Sequence, residues 1–292
     1  MQISLVQPNF RQGGKIFSGY WLPHSIACVY TFVEEKNPDY FDVNRVIFRR
    51  EAVAVASESM RNDGMVLFSC YMWNWEYNLE LSKRIKEINP DAIIVFGGPQ
   101  VSEFRLEEQQ EEFYWVDSWI VSEGELSFEK LTNDLRTEGA VQKTYDAQRL
   151  MDLDIPSPYV NGFFDNIIKE NPEIKWSTTL ETNRGSPFKF SFCDWGSLTY
   201  SKIKKFPVPK VYQEIEWLGK NKIEYIFVAD ANFGVFPERD SEIVDIMLEV
   251  QATYDYPKVF NANWHKNSKQ NVIPIVKKLT SNGMNRGRTL SV

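Results

Sequence analysis

The sequence predicts an α/β protein built on parallel sheets, and three observations carry that prediction. Runs that are apolar throughout, such as Met65-Val66-Leu67-Phe68 and Ala92-Ile93-Ile94-Val95-Phe96, read as strands covered on both faces. Longer amphipathic stretches with apolar residues near helical spacing lie between them. Glycine and proline clusters such as Gly97-Gly98-Pro99 mark the joints.

Taken in order, Ile3-Ser4-Leu5-Val6 reads as the first strand. It is followed by a Gly13-Gly14 loop and a helix starting near Pro23, where the first turn does not need the missing N–H. Val43 to Phe48 is the second strand and Met65 to Ser69 the third. A helix from about Glu76 to Ile88 carries Leu79, Leu81, Ile85 and Ile88 on one face. Ala92 to Phe96 and Ser118 to Val121 complete the strands, and Glu125 to Leu135 closes the series as a helix. Residues 1–138 therefore form one doubly wound domain. Such sheets bind ligands beyond the carboxyl ends of their strands, so the loops after Val6, Ser69, Phe96 and Val121 are the ones to watch.

Residues 139–175, with Pro156, Pro158 and Pro172, read as a linker. Alternation resumes over residues 176–292. Strands are expected at Trp176–Leu180, Ile223–Val228, Lys258–Ala262 and Arg288–Val292, with helices at Val211–Leu218, Glu238–Thr253 and Val272–Leu279. In the middle helix Ile243, Val244, Ile246, Met247 and Val250 trace a stripe that reads as core packing. About four β/α units in a row fit a barrel or an open sheet. The last run reaches Val292, which points to a partial barrel, because an unfinished one leaves strand edges open.

A length of 292 residues agrees with two domains. Apolar residues at 43% and charged residues at 25% exclude a disordered or fibrous chain. A net charge of -7 argues against a nucleic-acid-binding surface over the whole protein. No apolar run approaches the roughly 20 residues of a membrane span, and MQISLVQPNF has no secretory pattern. Cys28, Cys70 and Cys193 are too few for a disulfide framework, so the expected location is the cytoplasm and the expected partners are small molecules. Nine Trp, thirteen Tyr and twenty Phe supply rings for cores or for pockets that take flat ligands. Nucleotide-loop, zinc-protease and α/β-hydrolase motifs are absent from the sequence.

One stretch is more specific. Glu181-Thr182-Asn183-Arg184-Gly185-Ser186-Pro187-Phe188-Lys189-Phe190-Ser191-Phe192-Cys193-Asp194-Trp195-Gly196 follows the first strand of the second half. It resembles the cluster loop of radical SAM enzymes that carry an N-terminal cobalamin-binding domain, where three cysteines are spaced C-x3-C-x2-C. Asp230-Ala231-Asn232-Phe233-Gly234 resembles the family's D-x-N-F-G turn. Asn263-Trp264-His265-Lys266-Asn267 sits where its third-strand loop is expected, and Ser69-Cys70-Tyr71 and Gly97-Gly98-Pro99 resemble two loops that embrace cobalamin.

The resemblance implies a flavodoxin-like, cobalamin-binding domain followed by a partial radical SAM barrel. It implies cobalamin near Ser69, Cys70, Tyr71, Gly97, Gly98, Pro99, Glu123 and Gly124. S-adenosylmethionine is implied near Phe192, Asp230 and Asn232, and a [4Fe–4S] cluster at Ser186, Phe190 and Cys193. The family uses these cofactors to methylate or rearrange unactivated carbon. Only Cys193 retains the thiolate such a cluster needs; Phe190 has no donor atom, and a Ser186 alkoxide is a hard ligand for a soft site. The resemblance therefore implies a catalytically impaired member.

Each of these residues also has a plainer reading. Cys193 can be a small buried hydrophobe. Asp230 and Asn232 can serve a turn that bonds its own backbone, and Gly97-Gly98 can simply relax a tight joint. His24 and His265 fit no cobalt-ligand motif and read as a helix-start and a loop residue. Two alternatives to an enzyme stay open: a non-catalytic cobalamin-binding module, and a decayed, truncated reading frame.

Overall fold

The computed structural model describes residues 1–9, 19–146, 149–186, 203–265 and 269–284. The chain divides into two compact units, 1–17 with 23–150 and 18–22 with 151–292.

The first unit is a six-stranded parallel sheet. Its strands are β1 (Gln2–Val6), β3 (Asp42–Ile47), β4 (Met65–Ser69), β5 (Ile93–Gly97), β6 (Ser118–Ile120) and β7 (Thr144–Tyr145), in spatial order β3-β1-β4-β5-β6-β7. The order reverses between β1 and β4, which makes their carboxyl ends the switch point where such sheets open a ligand crevice. Five helices connect the strands: α1 (His24–Lys36), α2 (Val53–Ser59), α3 (Trp75–Ile88), α4 (Leu106–Glu112) and α5 (Gly124–Glu138). β4 is buried along its full length, as its unbroken apolar run requires.

In this unit the abundant rings go into the core. Phe68 packs on Phe96 at 5.0 Å between centroids, and Phe96 meets Trp119 edge-on at 5.6 Å and Trp75 at 5.8 Å. Helix α3 buries Leu81 and Ile85 as its apolar residues predict, and its inward face extends to Asn78 and Ser82 rather than to Ile88. Asn78, Leu81, Ser82 and Ile85 are its buried residues, while Leu79 and Ile88 are only half-buried. The polar pair is accommodated by hydrogen bonds: Asn78 Nδ2 donates to the Ser69 carbonyl at 3.4 Å, and Ser82 Oγ accepts from Trp115 Nε1 at 3.0 Å.

The second unit holds a four-stranded parallel sheet, β12-β11-β8-β2 in spatial order. Its strands are β2 (Gly19–Trp21), β8 (Lys175–Leu180), β11 (Tyr225–Phe233) and β12 (Val259–Trp264). Helices α6 (Asp165–Glu170), α7 (Val208–Lys220), α8 (Pro237–Tyr254) and α9 (Lys269–Ser281) accompany them. The stripe expected as core on α8 is buried, from Ile243 to Val250. β2 is too short to be read as a strand from sequence, yet it pairs in register with β8, Tyr20 opposite Trp176. β11 runs five residues past its predicted end at Val228 and carries Asp230 and Asn232 within it. A two-stranded antiparallel ladder, β9 (Asn183–Arg184) with β10 (Lys204–Lys205), completes the described elements. Phe190, Phe192, Cys193 and the strand predicted at 288–292 lie outside the described residues.

Candidate functional site

In the first unit the predicted site residues gather at the carboxyl rim of the sheet. Ser69 ends β4 and Gly97 ends β5, and the loops that follow them are bonded to each other. The Cys70 N–H donates to the Gly97 carbonyl at 2.7 Å, and the Gln100 N–H donates back to the Cys70 carbonyl at 3.0 Å. Gly98 sits between them at φ +98°. A Cβ there would lie 2.9 Å from the Cys70 oxygen and 3.0 Å from its nitrogen, so glycine is required on both conformational and steric grounds.

The Cys70 side chain points away from this role. It is fully buried, and desolvation pushes its thiol up to about 12, so the residue contributes its backbone to the rim. Asn74, which sequence reasoning passed over, shapes the loop. Its Oδ1 accepts from the Tyr71 N–H at 2.7 Å and its Nδ2 donates to the Ser69 carbonyl at 2.9 Å. Its place just before α3 was the available signal, since Asn favours helix starts. Here, however, its side chain turns back into the loop and makes no capping bond.

Tyr71 stacks on Trp73 at 4.4 Å with planes 11° apart, and its hydroxyl shares a 2.7 Å hydrogen bond with Ser25 Oγ from the first turn of α1. Gln7, just past β1, accepts the Ile26 N–H at 2.9 Å. The rim is thus tied across the switch point by residues from both flanking loops. Pro99 is exposed. Glu123 lies on the next loop along, where it accepts the Leu150 N–H at 3.2 Å, and Gly124 opens α5. His24 opens α1 with Cys28 one turn on, Nε2 to Sγ 3.3 Å.

In the second unit Asp230 is the centre of a buried network. Its carboxylate accepts from the backbone N–H of Thr182 at 2.7 Å and of Asn183 at 3.1 Å, from Asn183 Nδ2 at 2.6 Å, and from the Thr182 hydroxyl. Burial pushes Asp230 up to about 7, against the pull of these donors. Asn232, two residues on, donates from Nδ2 to Ser186 Oγ at 3.1 Å. The structure thus joins Asp230 and Asn232 to the segment that begins the predicted cluster loop.

Two further residues sequence reasoning missed sit on α8. Arg239 Nη2 donates to the carbonyls of Thr182 at 2.8 Å and Phe206 at 2.9 Å. Asp240 accepts the N–H groups of Gly234 at 2.7 Å and Phe236 at 3.1 Å, which closes the turn after β11. Both lie in the charged first turn of an amphipathic helix, where sequence alone reads a solvated end.

Of the three predicted cluster positions, Ser186 offers a hydroxyl already bonded to Asn232, Phe190 offers no donor, and Cys193 offers a thiol. That donor set does not match the three thiolates a [4Fe–4S] cluster takes. Among the described residues no group of three or more His, Cys, Asp and Glu side chains clusters as a metal site. Among the same residues, no helix is long and apolar enough to cross a membrane.

No family model matches the chain. Individual proteins do. It is 31% identical, over a 295-residue alignment, to the cobalamin-dependent radical SAM methyltransferase TokK of Streptomyces tokunonensis, an alignment covering 93% of this chain and 43% of the relative. It is 29% identical to the 2-(S-pantetheinyl)-carbapenam-3-carboxylate methyltransferase of Streptantibioticus cattleyicolor, covering 98% of this chain and 45% of that one. The chain therefore spans less than half the length of these curated relatives. Among solved structures it resembles the radical S-adenosylmethionine methyltransferase TsrM from Kitasatospora setae, solved with tryptophan substrate and a SAM analog. The TM-score is 0.61 at 12% identity, over 97% of this chain and 66% of that one, which is a likeness of fold.

Proposed function

We propose, from the premise that this chain is a homologue of the cobalamin-dependent radical SAM methyltransferases over most of its length, that its first unit binds cobalamin and its second is a radical SAM scaffold with an incomplete cluster site. The alignment over 93% of the chain carries this reading, because it spans both units.

For cobalamin, the residues present fit a rim of the required kind. Ser69, the Cys70 backbone, Tyr71 and the Gly97-Gly98 turn lie beside the switch point, where doubly wound sheets take their ligands. When bound, cobalamin supplies a transferable methyl group; the protein supplies orientation and exclusion of water. Glu123 and Gly124 belong to the same rim in this reading. In this reading the unit of 1–17 and 23–150 is the cobalamin-binding domain and that of 18–22 and 151–292 the partial barrel; the stretch expected as a linker, 139–175, instead carries β7 of the first sheet and α6 of the second unit.

For the cluster, the donor set does not fit, and no reaction step is derived through it. Asn232 and Phe192 are retained as neighbours of S-adenosylmethionine, as is Asp230, whose carboxylate also holds Thr182 and Asn183. The reading that follows is a family member whose radical chemistry is impaired while its ligand-binding scaffold persists. The absence of thiolates at Ser186 and Phe190 favours a non-catalytic cobalamin-binding module over an active enzyme.

The test is retention of ligand by the whole chain. After incubation with hydroxocobalamin and gel filtration, the protein peak should carry the corrin absorption at close to one equivalent. A peak without corrin absorption overturns the assignment of the first unit.

A further inference from the structure

The hydrogen bonds around β9 and β10 have a common purpose that none of the residues shows alone. Residues 182–184 and 204–206 flank the stretch 187–202 and run antiparallel, with Asn183 opposite Lys205 and Arg184 opposite Lys204. The Phe206 N–H donates to the Thr182 carbonyl at 3.0 Å and extends that short ladder. Two paired residues per strand make a weak ladder. Other groups have to hold it.

Those groups come from the neighbouring β/α unit. From β11, Asp230 takes the donors of Thr182 and Asn183 on both carboxylate oxygens. From the first turn of α8, Arg239 bridges the two sides, one nitrogen reaching the carbonyls of Thr182 and Phe206. Its other terminal nitrogen reaches Thr182 Oγ1 at 3.2 Å and Asp240 Oδ1 at 3.4 Å. Thr182, Asn183, Asp230 and Asp240 are all at most 2% exposed, so these are charge-assisted bonds in a dry setting.

We propose that Asp230 and Arg239 are positioning residues: Arg239 ties Thr182 to Phe206 while Asp230 anchors Thr182 and Asn183 to β11, and together they form a clamp that fixes the neck of the predicted cluster loop from outside that loop. The clamp uses none of Ser186, Phe190 or Cys193, so it persists whatever occupies those positions. Its importance for cofactor seating rests on the reading of residues 186–193 as the family's cluster loop. The clamp itself does not.

The experiment is hydrogen exchange of the full chain followed by mass spectrometry, comparing wild type with Arg239→Gln and Asp230→Asn. Gln is shorter than Arg and carries no charge, so its amide does not reach both carbonyls, and Asn turns an amide donor toward a set of donors. In each variant, peptides covering 182–184 and 204–206 should exchange about tenfold faster or more, while β8 and β12 keep wild-type rates. Neck peptides at the wild-type rate, or equal acceleration across the whole second unit, overturn the proposal. Should Arg239→Gln fail to accumulate folded, Arg239→Met decides: with no donor left to either carbonyl the neck should exchange at least as fast, and a wild-type rate again overturns it. Corrin or iron binding is measured separately. Loosened necks in a chain that binds neither would sink the functional reading and leave the clamp standing.

Discussion

Asn232 donates a hydrogen bond to the Ser186 hydroxyl at 3.1 Å, joining the end of β11 to the first predicted cluster position. If Ser186 stands at the first cluster position as the resemblance implies, a cysteine there would meet the same Asn232 donor.

Replacing Ser186→Cys together with Phe190→Cys should restore cluster binding. After anaerobic reconstitution with iron and sulfide, the double variant should turn brown and hold about four irons per chain. Either single variant, with two thiolates, should hold substantially less. A colourless double variant with an unchanged far-ultraviolet spectrum means that the loop has been registered wrongly.

Gly98→Ala should destabilise the first unit by about 2 kcal/mol or more, because the residue is held at positive φ and its methyl would press on the Cys70 backbone. Gly139→Ala is the control. Its φ is also positive, but a Cβ there meets nothing within 4 Å, so the loss should be about half as large. Denaturant midpoints of the two variants compare them directly, and equal losses would remove the steric part of the argument.

Glu214, on α7, gives the second unit a pH dependence. Burial pushes its carboxyl up to about 7, partly offset by Lys210 and a hydrogen bond to Ser157 and reinforced by Glu181. Folding therefore takes up a proton between pH 4.5 and pH 7. The contribution of this residue to stability falls through that window, by up to ~3 kcal/mol, and is flat above it. Glu214→Gln should lessen this slope, leaving the share of Asp230, whose carboxyl is raised to about 7 as well, and raise stability at pH 8. A wild-type slope in the variant would assign the dependence to other groups.

Cys70 should resist iodoacetamide at pH 8 in the folded protein and react at once in denaturant, because a buried thiol with a pKa near 12 offers almost no thiolate. Rapid labelling of the folded chain, located by peptide mapping, would show that the rim opens far more than its hydrogen bonds imply.

Much of the architecture was legible because parallel strands announce themselves. Met65–Ser69 is buried throughout and reads as such, and the stripe on α8 lies in the core as its spacing predicts. β2 could not be read, since three residues carry no period and their partner, β8, is far away in the sequence. The inward face of α3 was legible at Leu81 and Ile85 but not at Asn78 and Ser82, whose hydrogen bonds hydrophobic patterning cannot see. At the candidate sites, motifs located Asp230 and Gly98 but not what they do. The motif gave no sign that the Asp230 carboxylate is taken up by the 182–183 segment, and the partner it shares that segment with, Arg239, belongs to no motif the sequence displayed.

The most direct test of the central claim is reconstitution of the unaltered chain with iron and sulfide under anaerobic conditions, followed by electron paramagnetic resonance of the reduced sample with and without S-adenosylmethionine. The account predicts no four-iron signal in either. A four-iron signal that shifts when S-adenosylmethionine is added would contradict it.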